Sequence, residues 1–170
     1  MLNVLPSMFV LGLAALAAML LVLSRWSPAE NVAERIAAAR ALAVAVGVQS
    51  VHFAEEAASD FHERLGALLG LPGIPLSVFV VLNLMWLGIW VASVPGLRSA
   101  RVGAFFAAWF LAIAGMFNGI AHPLLAIAAG GYFPGLVSSP LIGVAGVWLW
   151  LRLRSATRPS EGAAGSMRSG

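Results

Sequence analysis

The sequence predicts an all-α integral membrane protein, a helical bundle of about five transmembrane spans with its N-terminus outside and its C-terminus cytoplasmic. Three observations predict it. First, 61% of the 170 residues are hydrophobic and only 10% are charged, and the mean hydropathy of +0.93 is one that ordinary soluble domains of this size do not approach. Second, five apolar runs can be drawn, at about residues 8–24, 36–58, 74–94, 103–129 and 136–153. A hydrocarbon core about 30 Å thick takes about 20 residues of helix to cross. Third, all ten basic residues are arginine and they fall on alternate connections. Arg25, Arg35 and Arg40 follow the first run, Arg98 and Arg101 the third, and Arg152, Arg154, Arg158 and Arg168 the fifth; only Arg64 lies on the other side. By the positive-inside rule this arrangement sets N-out/C-in and requires an odd number of spans.

Taken in order, the first run lacks a positive n-region and is followed by Arg25 and Trp26, a stop and an interface anchor, so it reads as a span and not as a signal peptide. Ser27-Pro28-Ala29-Glu30 has the chemistry of a capped helix start. Between residues 29 and 69 there is no proline and glycine only at 47 and 66, which predicts one helix carried through the second span and beyond it. Gly70-Leu71-Pro72-Gly73-Ile74-Pro75 ends that helix, Pro95-Gly96 separates the third span from the fourth, and Gly130 to Gly135 separates the fourth from the fifth. The membrane domain is thus expected over residues 1–154. The Gly/Ser/Ala/Arg-rich stretch 155–170 reads as a disordered cytoplasmic tail.

Composition also excludes. A pI near 11.1 does not point to nucleic acid, because the arginines are scattered at the ends of apolar runs where they set orientation. The absence of cysteine removes disulfides, thiolate metal sites and cysteine nucleophiles. No internal repeat is visible, so an inverted-repeat transporter has no support from symmetry.

Residues 51–64 crowd two of the three histidines and four of the seven acids into this apolar chain. On a helix, His52, Glu55, Glu56, Ser59 and Glu63 share a face, with Asp60 and His62 at its margins. Ionisable groups at membrane depth face a bundle interior or a cavity and mark a functional site by default. Counting along the helices puts His52 and Asn118 at similar depths, each roughly 22 Å from the start of its helix, in spans that run the same way. His122 lies four residues beyond Asn118, so the third histidine approaches His52, Glu55 and Glu56 in the outer leaflet. Gly115 and Gly119 form a small-xxx-small spacing that admits a close neighbouring helix, and Pro123 frees a carbonyl near His122. Asn83 in the third span reads first as interhelical glue and second as a substrate contact. Trp86, Trp90, Trp148 and Trp150 are assigned to core and interface.

The string His52-x-x-Glu55-Glu56 near the end of an early span resembles the family of small membrane proteins named for its HXXEE motif. Asn118-x-x-x-His122 and Tyr132-x-Pro134-Gly135 resemble that family's second polar segment. The resemblance spans roughly residues 40–150 and implies a fold type and candidate positions, but no reaction.

Read from the residues, the sharpest function is that of a metal-dependent membrane enzyme, a hydrolase, isomerase or oxidoreductase, on a lipid or other hydrophobic substrate. His52, Glu55 or Glu56, and His122 are the imidazole and carboxylate ligands that Zn²⁺ or Fe²⁺ accepts, with Asn118, Glu63 or His62 behind them or as alternative ligands, and Asn118 and Asn83 as substrate contacts. The order His-x-x-Glu-Glu is neither that of a zinc protease nor that of a di-iron protein. A metal-free alternative makes Glu55 and Glu56 share a proton beside His52, as in an isomerase or cyclase. A proton-coupled transporter would use the same residues as a relay, and an accessory subunit would use none of them. Asp60, His62, Glu63 and Arg64 read as a solvated helix extension. The expected partners are membrane lipids and a hydrophobic small molecule in the plasma membrane, the pocket being closed by one chain or by a homo-oligomer.

Overall fold

A computed structural model describes residues 5–25 and 32–158. Among them the chain is all-helical: α1 (Leu5–Arg25), α2 (Val32–Ala58), α3 (Phe61–Leu68), α4 (Leu76–Arg98), α5 (Val102–Ala128) and α6 (Ser139–Ala156). Five of these correspond to the five apolar runs, and α3 is a single short addition. Three of them, α2, α4 and α5, are long and apolar enough to cross a membrane. The capped start expected at Ser27–Glu30 lies outside the described residues, as does the tail beyond Arg158. Of the tail segment, Ser155 and Ala156 belong to α6.

The helices α2, α4, α5 and α6 form a ring in which α2 packs on α4, α4 on α5, α5 on α6 and α6 on α2, while α1 lies outside against α5. Thus α2 and α5 face each other across the bundle. The α5 helix is the centre of the core, with Trp109, Phe110 and Leu111 fully buried beside Leu42 of α2, Leu97 of α4 and Leu149 and Leu153 of α6. Lipid tails are as apolar as leucine, so close packing rather than water exclusion holds such helices together. Small residues supply that closeness. A Cβ on Gly119 would stand 2.8 Å from Gly143 Cα, and one on Gly146 would stand 2.8 Å from Ala112 O. The small-residue face of α5 is therefore filled by α6, backbone against backbone. Trp90 adds a tie by donating from Nε1 to Ala107 O at 2.9 Å, and Trp86 packs at a tilt on Phe110 with centroids 4.5 Å apart.

Two boundaries differ from the sequence reading, each for a local reason. The expected continuous helix over 29–69 breaks at Ser59-Asp60, where Asp60 takes a left-handed conformation (φ 58°, ψ 38°) and α3 starts in a new direction. No proline or glycine marks the break, because aspartate tolerates this region better than most residues. Asp60→Val is expected to destabilise the protein by about 1–2 kcal/mol, and Asp60→Gly to be neutral or better. Thermal unfolding in detergent checks this, and equal loss in both variants would mean that the Asp60 side chain is what matters. The second difference is at Pro95-Gly96, which lies inside the last turns of α4 and does not end it. The turn is made instead by Ala100 at φ 53°, with Arg101 N donating to Gly96 O at 2.9 Å. Gly96 is needed for contact, since a Cβ there would meet Ala104 Cβ at 2.7 Å.

Among the described residues the arginines other than Arg64 lie toward one end of the bundle. Arg35, at the start of α2, donates from Nε to the carbonyl of Arg98 at the end of α4, 3.2 Å away. The polar residues that matter lie at the other end, where α2 and α5 finish and α4 and α6 begin.

Candidate metal centre

His52 and Glu56 are one turn apart near the end of α2, and His122 is near the end of α5, so the diagonal helices of the ring deliver them to one point. All three are buried, at 0%, 6% and 2% relative exposure. His122 Nε2 is 3.3 Å and His52 Nε2 3.6 Å from Glu56 Oε1, and one ligand atom from each residue fits within a 4.8 Å span. The two imidazoles meet edge to face with centroids 4.7 Å apart.

The far side of each ring determines what its near side can do. His122 Nδ1 lies 2.6 Å from Pro134 O, and a carbonyl can only accept, so Nδ1 carries a proton and, in the neutral ring, Nε2 presents a lone pair. His52 Nδ1 lies 2.8 Å from Ser138 Oγ, whose own proton is donated to Glu55 Oε2. Ser138 Oγ therefore accepts from His52 Nδ1–H, and in the neutral ring His52 Nε2 also presents a lone pair. Two imidazole lone pairs and a carboxylate oxygen thus converge. Among the described residues His52 Nε2 is a buried nitrogen with no hydrogen-bond partner.

Glu55 is not part of this group. Its carboxylate is saturated by the segment between α5 and α6: Oε1 accepts from Tyr132 OH at 2.9 Å and Val137 N at 3.0 Å, and Oε2 from Ser138 N at 2.8 Å and from Ser138 Oγ. Those amide groups precede α6, where a helix start leaves donors without intrahelical acceptors, and an anion from another helix satisfies them. Gly135, at φ 82°, passes over both rings; a Cβ there would come within 2.5 Å of His122 Nδ1 and 2.9 Å of His52 Cε1. Phe61, just past the break at Asp60, packs beside the site, its ring 5.5 Å from the His122 ring and 5.9 Å from Phe133.

The remaining acidic and histidine candidates are outside the three-residue group. Asn83 donates to Phe79 O of its own helix at 2.9 Å, and Asn118 is half-buried one turn before His122. Asp60, Glu63 and Arg64 are exposed, as read from sequence, but His62 is buried and stacks on Phe79 with centroids 6.1 Å apart. The short α3 packs back on the turn that follows it, with Ile74 N bonded to His62 O at 2.9 Å, and this takes His62 out of solvent. Pro123 leaves α5 continuous to Ala128, and the carbonyl that meets His122 comes from Pro134.

Sequence reasoning missed Ser138 and Phe61. Ser138-Ser139-Pro140 did mark a helix start, which is where a hydroxyl can reach a neighbouring helix; nothing in the sequence marked Phe61. No family model, curated protein or solved structure matches the chain.

Proposed function

We propose that this protein is a metal-dependent membrane enzyme in which His52, Glu56 and His122 hold Zn²⁺ or Fe²⁺ and act on a lipid or other hydrophobic substrate. One observation carries the reading: Glu56 Oε1 and the Nε2 atoms of His52 and His122 face one another in a buried space, and with both rings neutral no proton donor lies among them. A proton there satisfies one pair, whereas a divalent ion satisfies all three. Two of the three spacings suit an ion, because ligands about 2.0–2.1 Å from a tetrahedral ion stand roughly 3.3–3.4 Å from one another, beside the 3.3 and 3.6 Å from Glu56 Oε1 to the two Nε2 atoms, with all three ligand atoms inside 4.8 Å. Two histidines and one carboxylate leave coordination positions free, the arrangement of catalytic rather than structural zinc and of non-haem iron sites. Such an ion supplies Lewis-acid polarisation of a bound oxygen.

The setting supports the same reading. We read α1 and α6, at 21 and 18 residues, as completing a five-span bundle with the three longer helices and the arginine-rich end as cytoplasmic; on that reading the centre lies in the outer leaflet of the plasma membrane. The likeness to the HXXEE family fits this assignment: two of the motif's polar characters, His52 and Glu56, serve as ligands.

Metal content by elemental mass spectrometry on detergent-purified protein tests it. Near-stoichiometric zinc or iron is expected in the wild type and its loss in His52→Ala and in His122→Ala. A wild type that stays metal-free after loading with either ion would end this reading. A second reading would then lead, in which Glu56 and His122, close enough at 3.3 Å to share a proton, act as an acid/base pair or a proton relay.

A further inference from the structure

The segment 132–138 touches everything that orients the two histidines. It provides Pro134 O to His122, Ser138 Oγ to His52, and the Gly135 backbone over both rings. It makes four hydrogen bonds to one carboxylate, that of Glu55. Glu55 and Glu56 are neighbours in sequence but sit about 100° apart around α2, so one faces the segment and the other faces the histidines.

We infer that Glu55 is a positioning residue: acting through Ser138, it fixes His52 in the Nδ1–H tautomer and aims Nε2 at the ligand space. The chain Glu55 carboxylate, Ser138 hydroxyl, His52 imidazole is the carboxylate–histidine outer layer of a metal site with one hydroxyl inserted. Such outer partners orient the ring and raise its basicity, and their loss weakens metal binding by about 10–100-fold. Glu55 therefore supports the ion without touching it. The inference rests on the metal reading for its consequence, but its core, the tautomer of His52, does not.

Two measurements on the full chain in detergent test it. The first is ¹⁵N NMR of histidine-labelled protein without metal. The wild type is expected to show His52 with a protonated Nδ1 and a bare Nε2, and Ser138→Ala to lose that preference. An Nε2–H tautomer in the wild type, or an unchanged one in Ser138→Ala, overturns the inference, whether or not metal binds. The second is zinc affinity by chelator competition. Ser138→Ala and Glu55→Gln are each expected to bind zinc about 10–100-fold more weakly at unchanged stoichiometry, with Ser138→Thr, which keeps the hydroxyl, recovering most of the loss. Glu55→Gln with zero stoichiometry beside an unaffected Ser138→Ala would make Glu55 itself a ligand. If the wild type binds no zinc, the metal reading fails while the tautomer still decides the role of Glu55 and Ser138.

Discussion

Gly135→Ala is expected to displace both histidines at once and to lower stability by roughly 2–5 kcal/mol, the sum of a left-handed backbone that alanine resists and an overpacked contact. At φ 82° the residue is in a region that suits glycine, and the added methyl would point into the space held by His122 Nδ1 and His52 Cε1. The rings have little room to yield. His122 is held by Pro134 O and His52 by Ser138 Oγ, both in the same segment as Gly135. Relief must come from lifting residues 132–138, which breaks both hydrogen bonds and the grip of Glu55. On the metal reading the variant should therefore fail to hold the ion as completely as His52→Ala does, and in either case it should show a lower unfolding temperature in detergent. A Gly135→Ala protein with wild-type zinc stoichiometry and unfolding temperature would show that the segment does not lie over the rings.

Gly146→Val is expected to have the largest effect away from the site, about 3 kcal/mol or more, at the upper end of overpacking. The first added carbon would stand 2.8 Å from both Ala112 O and Met116 N, and these are main-chain atoms that no rotamer change can move. The α5 and α6 helices must separate, and with them Ser138 must leave His52. Gly88→Ala on the exposed face of α4 is the matched control, since a Cβ there meets nothing within 4 Å. It should be neutral or slightly stabilising, because glycine inside a helix costs about 0.5–1 kcal/mol relative to alanine. Equal unfolding temperatures for the two variants would contradict the close α5–α6 crossing.

Much of the fold was legible because apolar length is a strong signal: each of the five runs is a helix, with ends shifted by a few residues. The meeting of His52, Glu56 and His122 was legible for a related reason, since spacing of four along a helix and equal depth in parallel helices are both properties of counting. What could not be counted was the non-helical chain. The position of Pro134 O depends on how residues 129–138 fold back, and a backbone carbonyl has no letter of its own. The same holds for Glu55. Sequence put it on the polar face with Glu56, and its separate task follows only from the amides of Val137 and Ser138, brought to it by the α5–α6 glycines. The break at Asp60 was hidden because its only mark in the sequence, an aspartate, is shared with many aspartates that stay helical.

Tyr132 is the only tyrosine of the chain, and its hydroxyl bonds Glu55 at 2.9 Å. Tyrosine labelled with ¹³C would therefore give one ring signal from the whole protein, belonging to the residue at the outer end of the hydrogen-bonded chain that reaches His52. That side chain is partly open to its surroundings at 47% relative exposure, while the histidines are closed to them. The molecule thus carries a native reporter, readable without any substitution, of a centre that is otherwise hidden from probes in the solvent.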